Sequence, residues 1–426
     1  IEKAIRGSAP AQINVPRDYW TQVIDIELPP IVRLERQAGG ADAIAKAADL
    51  LSKAKFPVIL SGAGVVIGGA IEETKKLAEK LDSPVCSGYQ HNDSFPGSHP
   101  LAVGPLGYNG SKAAMELISK ADVVLALGTR LNPFSTLPGY GIDYWPKNAN
   151  IIQVDINPDR IGLTKKVTVG ISGDAKLVAQ QIFEKLSSNA GDKDRQERKD
   201  LIHQTKSAWL QKLSSLDHEE DDEGTVWNKE ARERDKNRMS PRQAWRAIQV
   251  GMPEDVIISS DIGNNCAIGN AYPTFEKPRK YLAPGLFGPC GYGFPSILGA
   301  KIGCPDTPVI GFAGDGAFGI SMNEMSSCAR EEWPAITMVI FRNYQWGAEK
   351  RNTTLWFDNN FIGTELDPEL SYAKVANACG LKGVTVKTMD ETTAAIKQSC
   401  EDQKKGITTF IEVILNQELG EPFRRD

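Results

Sequence analysis

The sequence predicts an α/β chain made of two doubly wound parallel-sheet domains, and three observations carry that expectation. Short apolar runs alternate with amphipathic helical stretches along most of the chain, the pattern of parallel sheets. The apolar run Pro308 to Ala313 leads straight into Gly314-Asp315-Gly316. A second run, Ala335 to Phe341, ends at Arg342-Asn343. Two neighbouring strands thus finish at one sheet edge, one offering a carboxylate and the other an amide. Ligands of open α/β sheets bind outside the carboxyl ends of the strands. Oxygen donors of this kind suit Mg²⁺, which shares its octahedral shell with phosphates. The glycines allow close backbone approach to a phosphate, and a helix start after Gly316 favours an anion.

The elements follow in order. The chain opens at Ile1 to Arg6 with helical character and no initiator Met, then runs through a strand-like Pro10 to Asp18. That reads as the tail of a preceding domain, residues 1–18. Residues 19–40 read as a linker broken by Pro29-Pro30 and Gly39-Gly40. A middle domain is expected over 41–186. Its helices carry Ile44, Ala47, Ala48 and Leu51 on one face, then Ala70 to Leu81, then a stretch N-capped by Ser111. Its strands are Phe56–Leu60, Pro84–Cys86, Asp122–Leu127 and Ile151–Asp155. Residues 187–239 read as a charged surface connector, helical around Ile202, Trp209 and Leu213, with the acidic run Glu219–Glu223 as a solvated face. Ser240-Pro241 opens a helix with a serine cap and proline in its first turn. A second βα series then runs from Val256–Ser259 to Phe410–Leu415, in a domain over 240–426. A helix is expected over Ala317 to Arg330.

Bulk properties exclude several functions. The 426 residues carry 41% hydrophobic and 24% charged residues, an ordinary globular balance. A net charge of −5 argues against nucleic acid as partner. No apolar run reaches the length of a membrane span. The seven cysteines are odd in number and scattered, which fits reduced thiols in a cytoplasm rather than disulfides or a zinc site. Ser61-Gly62-Ala63-Gly64-Val65-Val66-Ile67-Gly68 misses the dinucleotide-binding spacing and reads as a tight turn, with Asp155 as a strand-end cap. His91 and His99 read as structural, and His203 and His218 as solvated.

Gly314-Asp315-Gly316 with Asn343 resembles the metal and diphosphate motif of the thiamine diphosphate enzymes, although Arg342 stands where that family has a first Asn. Leu127 to Leu131 resembles the family's middle-domain motif, and Gly288 to Pro295 its cofactor-wedge segment. The resemblance implies thiamine diphosphate and Mg²⁺ as cofactors. It implies Asp315, Asn343 and the Gln345 carbonyl as metal ligands. It implies cofactor contacts from Gly263, Asn264, Asn265, Gly288, Cys290, Gly314, Gly316 and Ala317, with Cys290 as the apolar wedge between the cofactor rings. No nucleotide is expected in the middle domain. The family's activating Glu belongs to the preceding domain, so no catalytic residue is assignable here. The chain by itself is then expected to be inactive, and the active unit a homodimer or homotetramer.

Longer strings, including Ile13–Gln22, Gly104–Lys112, Arg130–Gly141, Asn343–Asn352 and Leu419–Arg425, resemble the branch that acts on sulfoacetaldehyde. That implies sulfoacetaldehyde and phosphate as substrates, giving acetyl phosphate and sulfite. Ala348 and Asn352 would then line the substrate channel, with Arg342, Lys350 and Arg351 as candidate counter-charges for the anions. The alternatives are an acetolactate synthase-type carboligase, a 2-oxo acid decarboxylase, or a non-catalytic cofactor-binding subunit.

Overall fold

The computed structural model describes residues 2, 4, 9–28, 30, 35–192, 194–216, 235–285 and 287–419. Most of the opening Ile1 to Arg6, His218, the acidic run Glu219–Glu223 and the ending after Leu419 lie outside the described residues.

The first sheet holds β1 (Pro57–Ser61), β2 (Val85–Ser87), β3 (Ala102–Pro105), β4 (Val123–Leu127), β5 (Asn150–Asp155) and β6 (Val169–Ser172). Their order is β3-β2-β1-β4-β5-β6, all parallel. The second sheet holds β7 (Ile257–Ser260), β8 (Tyr281–Leu282), β9 (Val309–Gly314), β10 (Thr337–Arg342), β11 (Lys382–Val386) and β12 (Thr409–Ile414). Its order is β11-β12-β10-β9-β7-β8, again all parallel. The expected α/β architecture of two doubly wound sheets is what forms.

Burial on both faces explains the apolar strands. In β9, Ile310 and Phe312 enter one core while Val309 and Ala313 enter the other. In β10, Val339 and Phe341 face the first of these, Met338 and Ile340 the second. This is the period-two alternation of a strand. The central strands were legible for that reason. Strands β3, β6, β8 and β11 were not anticipated. They sit at or next to sheet edges and are short or interrupted by Gly104, Gly170 and Gly383.

Three local expectations need correction. Residues 10–16 form no strand, since a strand must pair its N–H and C=O groups and none lies beside them among the described residues. The helix expected over Ala317 to Arg330 is broken into Asp315–Ser321, a 3-10 turn Met322–Glu324, and Met325–Cys328. Gly316, Gly319 and Ser321 are weak helix formers in its first turns. The connector is not simply a surface feature. Its helix Arg195–Leu216 buries Ile202 in the core around the first sheet, and Trp209 and Leu213 in the second-sheet core that holds Ile310 and Phe312. Arg198 is buried and donates to the carbonyls of Lys55, Leu81, Asp82 and Gly191.

Capping followed the sequence. Ser111 accepts from Ala114 N, and Ser240 and Gln243 close a reciprocal capping box ahead of Pro241. Asp155 caps its strand end by accepting from Asn157 N at 2.8 Å. The glycines after β1 serve packing. A Cβ on Gly62 would lie 2.5 Å from Gly128 O, and one on Gly64 2.7 Å from Gly128 Cα. The turns after β1 and β4 therefore press backbone to backbone.

The loop carrying His91 joins the two halves. Asn92 Nδ2 donates to the carbonyls of Asn270 and Pro273, and Asp93 Oδ2 accepts from Lys280 N and Tyr281 N. Gln90 N donates to Asn270 Oδ1 at 3.0 Å.

Candidate functional site

Strand β7 pairs with β8 on one side and β9 on the other, so the chain changes direction there. A cleft of about 180 Å³ opens at the carboxyl ends of these strands and β10. Its lining includes Gly263, Asn264, Asn265, Gly288, Cys290, Gly314, Asp315, Gly316, Ala317, Asn343, Gln345 and Ala348. Every residue expected to touch cofactor or metal is on this wall. Three of the four expected substrate residues are not: Lys350, Arg351 and Asn352 are absent from the lining, and Ala348 alone is present.

Asp315 heads the helix after β9 and is buried. Its Oδ1 accepts from Gly316 N at 2.9 Å, and its Oδ2 from Arg342 Nη1 at 3.0 Å and Tyr344 N at 2.6 Å. Oδ1 therefore keeps one lone-pair position open. Burial raises the carboxyl to about 6, against the opposing pull of Arg342 and the two backbone donors. Asn343 ends β10. Its Nδ2 reaches Asn265 Oδ1 at 3.5 Å, while its Oδ1 is buried with no hydrogen-bond partner. Gln345 Nε2 donates to Gln417 O, and Gln345 Oε1 is likewise buried and unpartnered. Buried polar atoms are rarely left so. Between them, Tyr344 takes a left-handed backbone with φ of 63°, a conformation that non-glycine residues hold at a cost.

The donor set fits a hard cation. Among the described residues, no group of three or more His, Cys, Asp and Glu gathers for a metal. An ion here would be held by one carboxylate with amide or main-chain oxygens, which suits Mg²⁺. The wall also has room for a diphosphate. A Cβ on Gly314 would meet nothing closer than Asn265 Nδ2 at 4.0 Å, and Gly263 takes φ of 125°, which side chains rarely adopt.

Two expected contacts are already engaged inside the protein. Asn264 Nδ2 donates to Gly347 O and Leu419 O, and its Oδ1 accepts from Tyr108 OH. Both of its N–H donors are thus spent on holding the protein's own segments together. The space beside Gly316 is taken by the Trp346 indole, which a Cβ would approach to 2.9 Å. Gly316 therefore serves a ring contact as well as lining the cleft.

The counter-charge expectation also changes. Arg342 turns inward, donating to Asp315 and to the carbonyls of Asp367 and Leu370, over the Tyr344 ring at 4.2 Å. Lys350 pairs with Glu365 and Gln417. Arg351 is buried over the Tyr108 ring at 4.7 Å. None of the three reaches the cleft wall, because each helix or strand end directs it into the protein.

Cys290 does line the cleft, on an exposed loop. Burial of its thiol, then Asp261 and Glu349, raise its pKa, so the thiol stays protonated and apolar. Asp261, not singled out as a site residue, fixes that loop. Its Oδ1 accepts from Ile262 N and Gly291 N, and its Oδ2 from Gly293 N at 2.7 Å. Trp245 was also missed; its indole N–H donates to Asn265 O at 2.7 Å beneath the cleft. Asp261 had a signal in its place at the end of β7, whereas Trp245 lies remote in sequence and had none.

Comparisons with known proteins show the family. Residues 44–182 match the thiamine pyrophosphate enzyme central domain, and residues 261–413 the C-terminal TPP binding domain. A protein of Rhizobium meliloti named "Probable sulfoacetaldehyde acetyltransferase" is 78% identical over all 426 residues, which cover 72% of its length. The chain belongs to the sulfoacetaldehyde acetyltransferase family of thiamine diphosphate enzymes. Within this family, the sulfoacetaldehyde acetyltransferase of Roseovarius nubinhibens is 72% identical over the whole chain and 71% of its own length. A probable acetolactate synthase large subunit of Methanococcus aeolicus is 30% identical over 92% of this chain and 65% of its own. The crystal structure of benzoylformate decarboxylase from Polynucleobacter necessarius superposes with a TM-score of 0.72 at 19% identity, over 95% of this chain and 70% of that one. At that identity the likeness is one of fold.

Proposed function

We propose that the protein converts sulfoacetaldehyde and phosphate to acetyl phosphate and sulfite, with thiamine diphosphate and Mg²⁺ in the cleft between β7, β9 and β10. The observation that carries the reading is the 78% identity over all 426 residues to the Rhizobium meliloti relative. Asp315 Oδ1, Asn343 Oδ1 and an oxygen of Gln345 would hold the metal. Gly263, Asn265, Gly288, Gly314 and Ala317 would face the cofactor. Thiamine diphosphate, when bound, supplies the nucleophilic carbon and the electron sink for the reaction. The chain's own residues orient it: Asp261 fixes the loop of Cys290, Trp245 holds the Asn265 carbonyl, and Asn264 ties the helix Gly347–Trp356 to the wall. Ala348 on that helix leaves space for substrate.

The same proposal includes a domain division at 41–186 and 240–426, supported by one sheet in each part. It includes a homo-oligomeric, cytoplasmic enzyme. No described helix is long and apolar enough to cross a membrane.

The test is to incubate full-length protein with thiamine diphosphate, Mg²⁺ and sulfoacetaldehyde, with and without phosphate. Sulfite and acetyl phosphate should appear together, and only with both cofactors. Acetolactate formed from pyruvate, with no sulfite from sulfoacetaldehyde, would replace this reading by that of a carboligase.

A further inference from the structure

The cleft wall carries acids although its proposed ligands are anions. Among the described lining residues there is no Lys, Arg or His; the ionisable side chains are Asp315, Cys290 and Glu349. Asp315 is bound to Arg342 and to two backbone N–H groups. The Cys290 thiol is held protonated. Glu349 is otherwise placed. It is exposed in the first turn of the helix Gly347–Trp356, where the helix dipole tolerates a carboxylate. Its carboxylate forms none of the hydrogen bonds or ion pairs of the described residues, and its charge acts on Cys290 across the cleft.

A carboxylate here opposes the binding of a sulfonate or a phosphate. Residues that break a local rule cluster where chemistry needs them. The net reaction has such a need. Sulfoacetaldehyde and hydrogen phosphate become acetyl phosphate and hydrogen sulfite. The aldehyde carbon loses its hydrogen as a proton and gains a C–O bond to phosphate. The methylene carbon loses its C–S bond, whose electron pair leaves on sulfite, and gains a hydrogen. The pair freed from the aldehyde C–H bond ends in the new C–H bond of the methyl group. The proton of hydrogen phosphate leaves on hydrogen sulfite. No external oxidant or reductant is required, but a proton must be lifted from one carbon and delivered to its neighbour.

Resting on the function proposed above, we propose that Glu349 is the catalytic acid–base residue that accepts the aldehydic proton and returns a proton to the adjacent carbon. Among the described lining residues it is the one carboxylate with no partner to give up first. It sits one position after Ala348, where the wall leaves room for substrate.

The experiment compares wild type, Glu349→Gln and Glu349→Asp as full-length protein with thiamine diphosphate and Mg²⁺. Sulfite release should fall on the order of 10²-fold or more in kcat for Glu349→Gln, the usual worth of a general acid–base group. The KM for sulfoacetaldehyde and for phosphate should stay level or fall, because a repulsive charge is gone. Glu349→Asp should recover part of the rate. Alkylation of Cys290 by iodoacetamide, followed by peptide mass spectrometry without cofactor, should be faster in Glu349→Gln than in wild type. Unchanged kcat, or a loss seen only as raised KM, overturns the assignment, as does Cys290 alkylation at the wild-type rate. If wild type releases no sulfite, the reading of function fails and this role with it. Active wild type beside an unimpaired Glu349→Gln overturns this role alone.

Discussion

Arg342 Nη1 donates to Asp315 Oδ2 at 3.0 Å, between side chains that are each 1% exposed. The pair links the ends of adjacent strands β9 and β10. Its Nη2 also reaches the carbonyls of Asp367 and Leu370, so one guanidinium spans three segments.

Removing Arg342 should therefore be costly. Arg342→Ala leaves a carboxylate buried with backbone donors alone, and breaking a buried pair from one side costs roughly 3–5 kcal/mol. Urea denaturation should show a loss of that order. A loss under about 1 kcal/mol would mean that the carboxylate is relieved by other groups or by protonation.

Asp315→Ala and Asn343→Ala should act on ligand binding. Each removes one oxygen proposed for the metal, so calorimetric titration with thiamine diphosphate and Mg²⁺ should show at least a ~100-fold weaker complex, equal to about 2.7 kcal/mol. For Asn343→Ala the fold should be little disturbed, because its Oδ1 has no partner to lose and its Nδ2 gives up only the long 3.5 Å contact with Asn265 Oδ1. Unaltered affinity in both variants would remove them from the metal site.

The His91 loop should be sensitive to acid. Burial, with Arg130 adding to it and Asp93 opposing, lowers its pKa below the usual 6.5. The folded state therefore prefers neutral imidazole. Its contribution to stability is present above pH 6.5 and is lost as pH falls through the lower folded value. The thermal midpoint of wild type should drop more steeply between pH 7 and pH 5 than that of His91→Gln. Parallel curves would show that His91 titrates alike folded and unfolded.

What the sequence conveyed depended on how local each signal was. The motif Gly314-Asp315-Gly316 and Asn343 are read from strands whose alternating burial leaves a strong pattern, and these residues meet at one cleft. Side-chain direction is a tertiary property and was not legible. Arg342, Lys350 and Arg351 look alike as cations near a strand end, yet each finds a buried partner contributed by another segment. Asn264 looked like a ligand contact because its three partners, Tyr108, Gly347 and Leu419, lie far from it in sequence. The edge strands carried too few apolar residues to stand out.

Asp261→Asn should loosen the loop of Cys290 while keeping the side chain's shape. The carboxylate is buried at the end of β7 and accepts three backbone N–H groups. Asparagine can still serve Ile262 and Gly291 through its carbonyl oxygen. Its amide NH₂ would then face Gly293 N–H, donor against donor. Losing one hydrogen bond to a charged acceptor costs about 1.5–3 kcal/mol, and Gly293 cannot withdraw, since a mere Cβ there would already lie 2.7 Å from Phe312 O. The strain must be relieved on the Gly288 to Gly291 side, where Gly288 and Gly291 have positive φ and the loop lines the cleft. We expect Cys290 to be alkylated several-fold faster in Asp261→Asn and to be protected less by added thiamine diphosphate and Mg²⁺. Cys304, which is exposed elsewhere, should react at the wild-type rate and serves as the internal control. If Cys290 and Cys304 both react as in wild type and the cofactor protects Cys290 as before, Asp261 does not hold this loop in place.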